Sequence, residues 1–420
     1  MEETNDSKTA AENRSNLLFF VLPLVAAVIY YFSNPKPQDF YNYTFLVAGN
    51  LLHGATGLSE TPPTWLNEFV PFHGHYYSVF PLGAVLSMIP FALLAAVGII
   101  HEMPGAFIAA MIAGGSCYYL LKIADKYEIS ISKKILLTLA VLFGTWTWTN
   151  LAFEGAWQLA IGFAFVGEVG AVHYSVFERR PFIAGAFFAL AFGNRTEVLL
   201  TAPIFLYLLN RNGPKETEKL DNDESESANT LNRNIVDALW FCLIPFVLGV
   251  ATLIYNYLRF HSFTDFGYAR IPGVLNEPWY NHGIFSLTYI PRQAWEMLWK
   301  PWRFVDVFPY LVPNGFSSSI LWSSPFLLFL LRSGSRDKVL KYLSWVAIAL
   351  LTFLLWIHGN SGGWQFGYRY ATVLLPWVFV ILLEASSKKI SPLEWAVYVF
   401  SFVMNAYATW LFHWTDYIKP

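Results

Sequence analysis

VFPLGAVLSMIPFALLAAVGII, residues 79–100, is long and apolar enough to cross a membrane, and whether it does so fixes the sidedness of everything after it. A span needs roughly 20 apolar residues to cover ~30 Å of hydrocarbon. Eleven further apolar runs are candidates: 17–33, 104–121, 135–153, 158–177, 181–194, 196–210, 235–258, 320–331, 342–357, 370–385 and 392–412. Between them lie basic clusters: Lys122, Lys126, Lys133 and Lys134; Arg179 and Arg180; Arg211, Lys215, Lys219 and Arg233; Arg332, Arg336, Lys338 and Lys341; and Lys388 and Lys389. The positive-inside rule puts all of these on the cytoplasmic side. If 79–100 crossed, the first cluster would face outward and the others would flip with it. Pro81, Gly83 and Pro90 interrupt that run, so it is predicted to be a half-embedded or juxtamembrane element on the outer side. The chain then makes eleven crossings, with its N-terminus inside and its C-terminus outside.

Composition agrees with a polytopic membrane protein. The 420 residues are 55% hydrophobic, 18% aromatic and only 13% charged, with 17 Trp, and the mean hydropathy is +0.41; this is far from the soluble average. A net charge of −2 with scattered basic clusters gives no reason to expect a nucleic-acid partner. Cys117 and Cys242 each lie inside an apolar run, which excludes a disulfide framework and a cysteine metal site. The polar start, MEETNDSKTAAENRSN, reads as a cytoplasmic tail over 1–16 followed by a retained first helix. Residues 17–210 read as one transmembrane module with an outer loop at 34–103, and 235–420 as a second region with an outer loop at 259–319. Between them RNGPKETEKLDNDESESANTLNRN, 211–234, has the composition of a disordered cytoplasmic loop.

The run 181–210 must go out and back, yet each arm has about 14 residues and reaches only ~21 Å at the α-helical rise. Its turn, GNRTE at 193–197, therefore lies below the outer surface, where polar backbone is tolerated only against protein or a water-filled cavity. A cavity opening outward is predicted, with Arg195 and Glu197 near its floor.

Candidate chemistry gathers on the same side. Asp39, in NPKPQDFYNYTFLVAGNLLHG (34–54), is either a helix cap or a carboxylate able to take a proton from a hydroxyl; Tyr43 follows it. NEFVPFHGHYYSVFPLG (67–83) supplies Glu68, His73, His75 and Tyr77. Two histidines beside an acid begin a zinc set, but no third histidine stands at short spacing, so a divalent metal is not favoured and no cofactor is expected. Glu154, in TNLAFEGAW, follows the third crossing. GNSGGWQFGYRYATVLLPW (359–377) carries Trp364, Gln365, Tyr368 and Arg369 among four glycines, and YLRFHSFTDFGYARIPG (257–273) adds Arg270. Trp and Tyr offer faces to sugar rings, and guanidinium groups suit phosphate oxygens.

These stretches resemble the GT-C glycosyltransferases, integral-membrane enzymes that use polyprenyl-phosphate sugars, and are similar in particular to the bacterial protein mannosyltransferase and aminoarabinose transferase group. The resemblance rests on Asp39 after the first crossing, H-G-H-Y-Y-S-V-F-P-L-G, G-N-R-T-E, N-Y-L-R-F-H-S-F-T-D-F-G-Y and G-G-W-Q-F-G-Y-R-Y, and so runs from residue 39 to 370. It implies an all-α GT-C fold with outer juxtamembrane helices in the first loop. It also implies Asp39 as catalytic acid, with Glu154 and Glu68 at positions of further family acids. The adjacent Asp-Glu pair of the protein mannosyltransferases is missing, because Phe40 follows Asp39.

The reading is a sugar transfer from a polyprenyl-phosphate donor to a lipid, glycan or protein hydroxyl, on the outer face of a prokaryotic plasma (inner) membrane, with inversion. Asp39 acts as base, Arg195, Arg270 and Arg369 bind the donor phosphate, and Tyr43, His73, His75, Tyr77, Trp364, Gln365 and Tyr368 contact sugar or acceptor. Membrane lipids are the remaining partner. A transporter or lipid flippase of a cell-envelope polysaccharide pathway is the rival, kept alive by Glu168 in FAFVGEVGA, an acid inside a span. A non-catalytic assembly protein with a decayed site is the third reading.

Overall fold

A computed structural model describes residues 2–36, 41–211 and 223–418, with side chains from residue 17 in the first segment and from residue 232 in the last. The protein is mostly helical. Helix α1 (Glu2–Tyr31) is followed by α2 (Tyr43–Leu52) and a small hairpin, β1 (Phe69–Phe72) with β2 (His75–Ser78). Residues 79–100 break as expected, into α3 (Leu82–Leu86) and α4 (Ile89–Ala96), both too short to span. Then follow α5 (Gly105–Asp125), α6 (Ile131–Phe143), α7 (Thr147–Leu151), α8 (Ala156–Val172), α9 (Pro181–Asn194), α10 (Ala202–Arg211) and α11 (Asp223–Phe260). The segment that follows α11 holds α12 (Ile290–Leu298) and a second hairpin, β3 (Arg303–Phe304) with β4 (Leu311–Val312). The chain closes with α13 (Ile320–Ser323), α14 (Lys338–Ile357), α15 (Leu375–Glu384) and α16 (Pro392–His413).

Among the described residues, five helical stretches are long and apolar enough to cross a membrane: α5, Ala156–Phe177, Asn232–Phe260, α14 and α16. This is the make-up of a multi-pass membrane protein. The other expected crossings run through shorter pieces. Three contain 3-10 helices of six or seven residues: Thr196–Thr201 before α10, Pro325–Leu331 after α13 and Arg369–Leu374 before α15. Runs of that length are uncommon because 3-10 hydrogen-bond geometry is poorer. The expected loop 211–234 needs correction: α11 begins at Asp223, so its second half is helical and continuous with the apolar run, while 212–222 lie outside the described residues.

Layering follows apolarity. Every residue of α15 is buried, and the span built on α8 is 83% buried, against 17% for Asn232–Phe260 on the lipid-facing side. Glycines let the helices meet backbone to backbone: a Cβ on Gly185 of α9 would lie 2.1 Å from the Phe241 carbonyl of α11, and one on Gly83 of α3 would lie 2.4 Å from Gly193 Cα. Small residues at such crossings are how helices pack where lipid removes the hydrophobic drive.

At the basic end an ionic plate ties the last helices together. The Lys133 ammonium, on α6, pairs with Glu394 of α16 at 2.9 Å, both buried, and Arg332 reaches the same carboxylate at 2.5 Å. Glu384 ends α15 by accepting from Tyr127 Oη at 2.7 Å and from the Arg336 and Asp337 backbone N–H groups at 2.9 and 2.6 Å. Capping starts the helices beside it: Asp337 receives the N–H groups of Val339 and Leu340, and Ser391 with Glu394 forms a capping box on α16.

Candidate functional site

Opposite the basic plate, the short hairpin of α9 and α10 turns inside the protein. Its turn residues Asn194, Arg195, Thr196 and Glu197 line a cavity of about 300 Å³, whose other walls are Val79–Pro81, Trp157, Tyr268, Phe285, Leu355, His358 and Tyr370. Arg195 is not a free cation: Nε donates to Glu197 Oε1 at 2.7 Å, and the guanidinium lies 4.6 Å from the Tyr370 ring centre. His358 faces the cavity too. Burial holds its imidazole below the ordinary value, and Nδ1–H donates to the Asn360 carbonyl at 2.8 Å, so it brings no charge near neutral pH. Tyr268 donates to or accepts from Tyr280 at 2.7 Å, and burial raises its phenol far above the usual range.

Arg369 is held differently. It is 8% exposed, it opens the 3-10 stretch before α15, and its guanidinium makes no hydrogen bond and no ion pair within 4 Å among the described residues; buried Nε is unsatisfied. It lies 5.3 Å from the Tyr370 ring centre and 6.0 Å from that of Trp157. A buried cation whose N–H groups lack acceptors costs free energy unless something supplies them. Glu68 is the nearest acid in effect. Half-buried, it accepts from Trp157 Nε1 at 2.5 Å. Burial pushes its carboxyl up to about 7, helped by Glu277 and opposed by the Arg369 charge and the Trp157 hydrogen bond. The site therefore offers an uncommitted guanidinium and a carboxyl that changes charge near neutrality, joined through one indole that walls the cavity.

The other candidates fall elsewhere. Asp39 lies outside the described residues; Tyr41, two positions on, accepts from Ala156 N–H at 2.9 Å beside the Glu154 turn. Glu154 is fully buried with a left-handed φ of 63°, packed against Gly105 at the start of α5. Tyr43 is core, its ring 5.3 and 5.8 Å from Phe69 and Phe80. Tyr77 is buried on Phe260. His73 and His75 are exposed at the β1–β2 tip, outside the cavity wall, with His73 5.7 Å from His261. Arg270 is neutralised by Asp265 at 2.6 Å and stacks on Phe72.

Within the glycine-rich loop the expected contacts face inward. Gln365 is fully buried, its amide donating to the Phe316 and Ser361 carbonyls at 2.6 and 2.8 Å while its oxygen accepts from Arg369 N–H at 2.7 Å. Tyr368 is buried and donates to Gln293 Oε1 at 2.9 Å. Trp364 packs on Gly315, Phe316 and Phe412. None of the three lines the cavity, because a loop of four glycines can turn its large side chains either way: Gln365 finds the Phe316 and Ser361 carbonyls, Tyr368 finds Gln293, and Trp364 finds the Phe316 and Phe412 rings.

Sequence reasoning missed Trp157, His358 and Arg259. Arg259, fully buried at the end of α11, donates to the Ser78 and Phe80 carbonyls and to Asn256 at 2.7 Å, with the Tyr255 ring 3.9 Å away. It fixes the Phe80 wall, whose ring lies 4.1 Å from that of Trp157. A basic residue ending an apolar run away from the other basic clusters was the available signal. Among the described residues no group of three or more His, Cys, Asp or Glu is arranged to hold a metal.

No known family profile matches the chain, and no curated protein matches it. Two solved structures are similar to it at low identity. One is the Archaeoglobus fulgidus oligosaccharyltransferase in the apo form, at 11% identity and a TM-score of 0.41, covering 94% of this chain and 56% of that chain. The other is the archaeal oligosaccharyltransferase AglB from Archaeoglobus fulgidus in complex with an inhibitory peptide and a dolichol-phosphate, at 11% identity and a TM-score of 0.40, covering 93% and 56%. The chain thus spans just over half the length of each.

Proposed function

We propose that this protein is a membrane glycosyltransferase of GT-C type that moves a sugar from a polyprenyl-phosphate donor to a hydroxyl on the outer face of a prokaryotic plasma membrane. The single observation that carries the reading is Arg369: a nine-tenths buried guanidinium with no ion-pair or hydrogen-bond partner among the described residues, lying against Tyr370 and Trp157, two aromatics that wall a largely apolar cavity. A lipid phosphate supplies both complements, an anion for the guanidinium and a hydrocarbon tail for the walls. Arg195 and Arg270 carry their own carboxylates, so the donor phosphate is assigned to Arg369 first, with Arg195 engaged only as Glu197 yields.

In this mechanism the acceptor oxygen attacks the anomeric carbon, the bond from that carbon to the phosphate oxygen breaks, and the phosphate leaves as an anion against Arg369. The acceptor proton goes to a carboxylate, Asp39 or Glu68; burial raises the Glu68 carboxyl to about 7. One displacement inverts the anomeric centre. The transporter reading loses its main support, since Glu168 is fully buried between α8 and α15, donated to by Trp377 at 2.6 Å, and is not among the cavity-lining residues.

Binding of polyprenyl monophosphate to the purified full-length protein tests the proposal without knowledge of the sugar. The wild type binds, and Arg369→Gln binds about ten- to a hundredfold more weakly, the worth of a charge-assisted hydrogen bond. Equal binding by both overturns the assignment. Asp39→Asn then asks about the base: normal membrane insertion with lost transfer supports Asp39, and full transfer leaves Glu68.

A further inference from the structure

We infer that the β3–β4 hairpin, residues 303–312, lies in the lipid interface of the leaflet at the C-terminal end of α16, and so fixes the height of the loop that carries Arg369. Its side chains look outward: Phe304 is 87% exposed, Val307 70%, Phe308 54% and Tyr310 59%. Water would make that costly, since each is a large apolar group left uncovered.

Depth can be read from α16, which starts in the buried ionic plate at Glu394. Tyr407 stands about 22 Å, and Trp410 about 27 Å, along the axis from Pro392. Tyr407 Oη donates to the hairpin carbonyls of Leu311 at 2.8 Å and Pro309 at 3.3 Å, and Phe308 packs on Trp410 and Tyr417 at 6.3 and 5.6 Å. The tip is thereby held beside the last two turns of a helix whose Val399, Phe400 and Val403 are exposed lower down. The hairpin's apolar face continues that lipid-facing surface.

Its strands are satisfied within the protein, and the tip N–H groups of Asp306, Val307 and Phe308, which have no protein acceptor among the described residues, are left to headgroups and interfacial water rather than to hydrocarbon. Arg303 pairs with Val312 and Phe304 with Leu311; Val305 N–H donates to Tyr310 O, Tyr310 N–H to Val307 O and Leu311 N–H to Pro309 O, at 2.8–2.9 Å. Arg303 and Asp306 are charged residues of the hairpin, and the exposed Arg303 keeps it among headgroups rather than in the hydrocarbon. Preceding it, α12 turns Trp295 outward, with Trp299 exposed just after.

The hairpin leads directly into 313–319, and that segment backs the glycine-rich loop: Gln365 N–H donates to Gly315 O at 2.7 Å, and Ser318 N–H to Gly367 O at 2.9 Å. Arg369 follows two residues later.

The test uses the full-length protein with Cys117→Ala and Cys242→Ala, an environment-sensitive fluorophore on Val307→Cys, and reconstitution into phosphatidylcholine vesicles doped with spin-labelled lipid. A label on Asn276→Cys, exposed elsewhere in the same outer loop, is the control. The Val307 label is expected to be quenched several-fold more by lipid spin-labelled near the headgroup than by aqueous iodide, and the Asn276 label the reverse. Iodide quenching at Val307 equal to that at Asn276 overturns the inference, and so does protection from both quenchers, which would mean a protein cover. Should Val307→Cys fail to fold, Phe304→Cys carries the same label to the same test.

Discussion

The indole of Trp157 donates to the carboxylate of Glu68 at 2.5 Å, so this acid is tied to an aromatic that walls the cavity. Its carboxyl is raised to about 7, chiefly by burial. With Glu68 as the base, transfer activity is expected to rise with pH through about 7, and Glu68→Gln, which keeps an acceptor for Trp157, is expected to give a low, flat profile. A wild-type midpoint near the ordinary carboxylate value would exclude Glu68 as the titrating group. Stability moves the other way. With a folded value above the unfolded one, the protein is favoured fully below about 4.5 and loses that contribution as pH rises through about 7. Melting curves of Glu68→Gln in detergent should lack this loss.

Removing Arg369 should separate binding from folding. A buried guanidinium used to hold the fold costs about 3–5 kcal/mol when its partner structure is broken. Arg369 has no such partner among the described residues, so Arg369→Gln is expected to keep or raise the melting temperature while donor binding falls. A large drop in melting temperature would mark the arginine as structural.

Lys133→Met should do the opposite. It removes buried hydrogen bonds to Glu394, Ser387 and the Lys389 carbonyl, far from the cavity, while Arg332 still pairs with Glu394, and is expected to destabilise by about 1–3 kcal/mol. Lys133→Met combined with Glu394→Gln should cost no less, because Arg332 then loses its carboxylate as well, measured by thermal unfolding in detergent, with transfer per folded molecule unchanged throughout.

Gly83→Ala tests the crossing of α3 over α9. The new methyl would sit 2.4 Å from Gly193 Cα, and overpacking of this kind costs about 1–3 kcal/mol. Both sides of that contact lead into the cavity wall, at Pro81 and at Asn194, so donor affinity should fall along with stability. A variant with wild-type affinity would mean that the crossing is elastic.

Much of this architecture is legible in the amino-acid sequence. Lys and Arg clusters decide which apolar runs can share a side, and Pro81, Gly83 and Pro90 do break 79–100. The short arms of 181–210 imply a submerged turn, and the turn residues line a cavity. Charge pairing is harder to see. Arg195 and Glu197 are two residues apart and meet only because a 3-10 start bends the chain between them, whereas the loop partner Phe316 of Gln365 lies some fifty positions away. Residues 223–234 mislead by composition, since a polar run continuous with an apolar helix can be carried on by it. Arg195 and Arg369 do share an unread signal: each precedes Val-Leu-Leu and then a proline, in RTEVLLTAP and RYATVLLP.

Those two arginines each stand at the head of a stretch of six residues wound as a 3-10 helix. Such winding rises about 2.0 Å per residue where an α-helix rises about 1.5 Å, so rewinding six residues shortens the segment by about 3 Å. Each stretch is in effect a screw thread beneath a cation. A change of pitch alone draws the guanidinium toward the basic side by the length of one phosphate-to-oxygen contact, without sliding any of the long helices that contain the site.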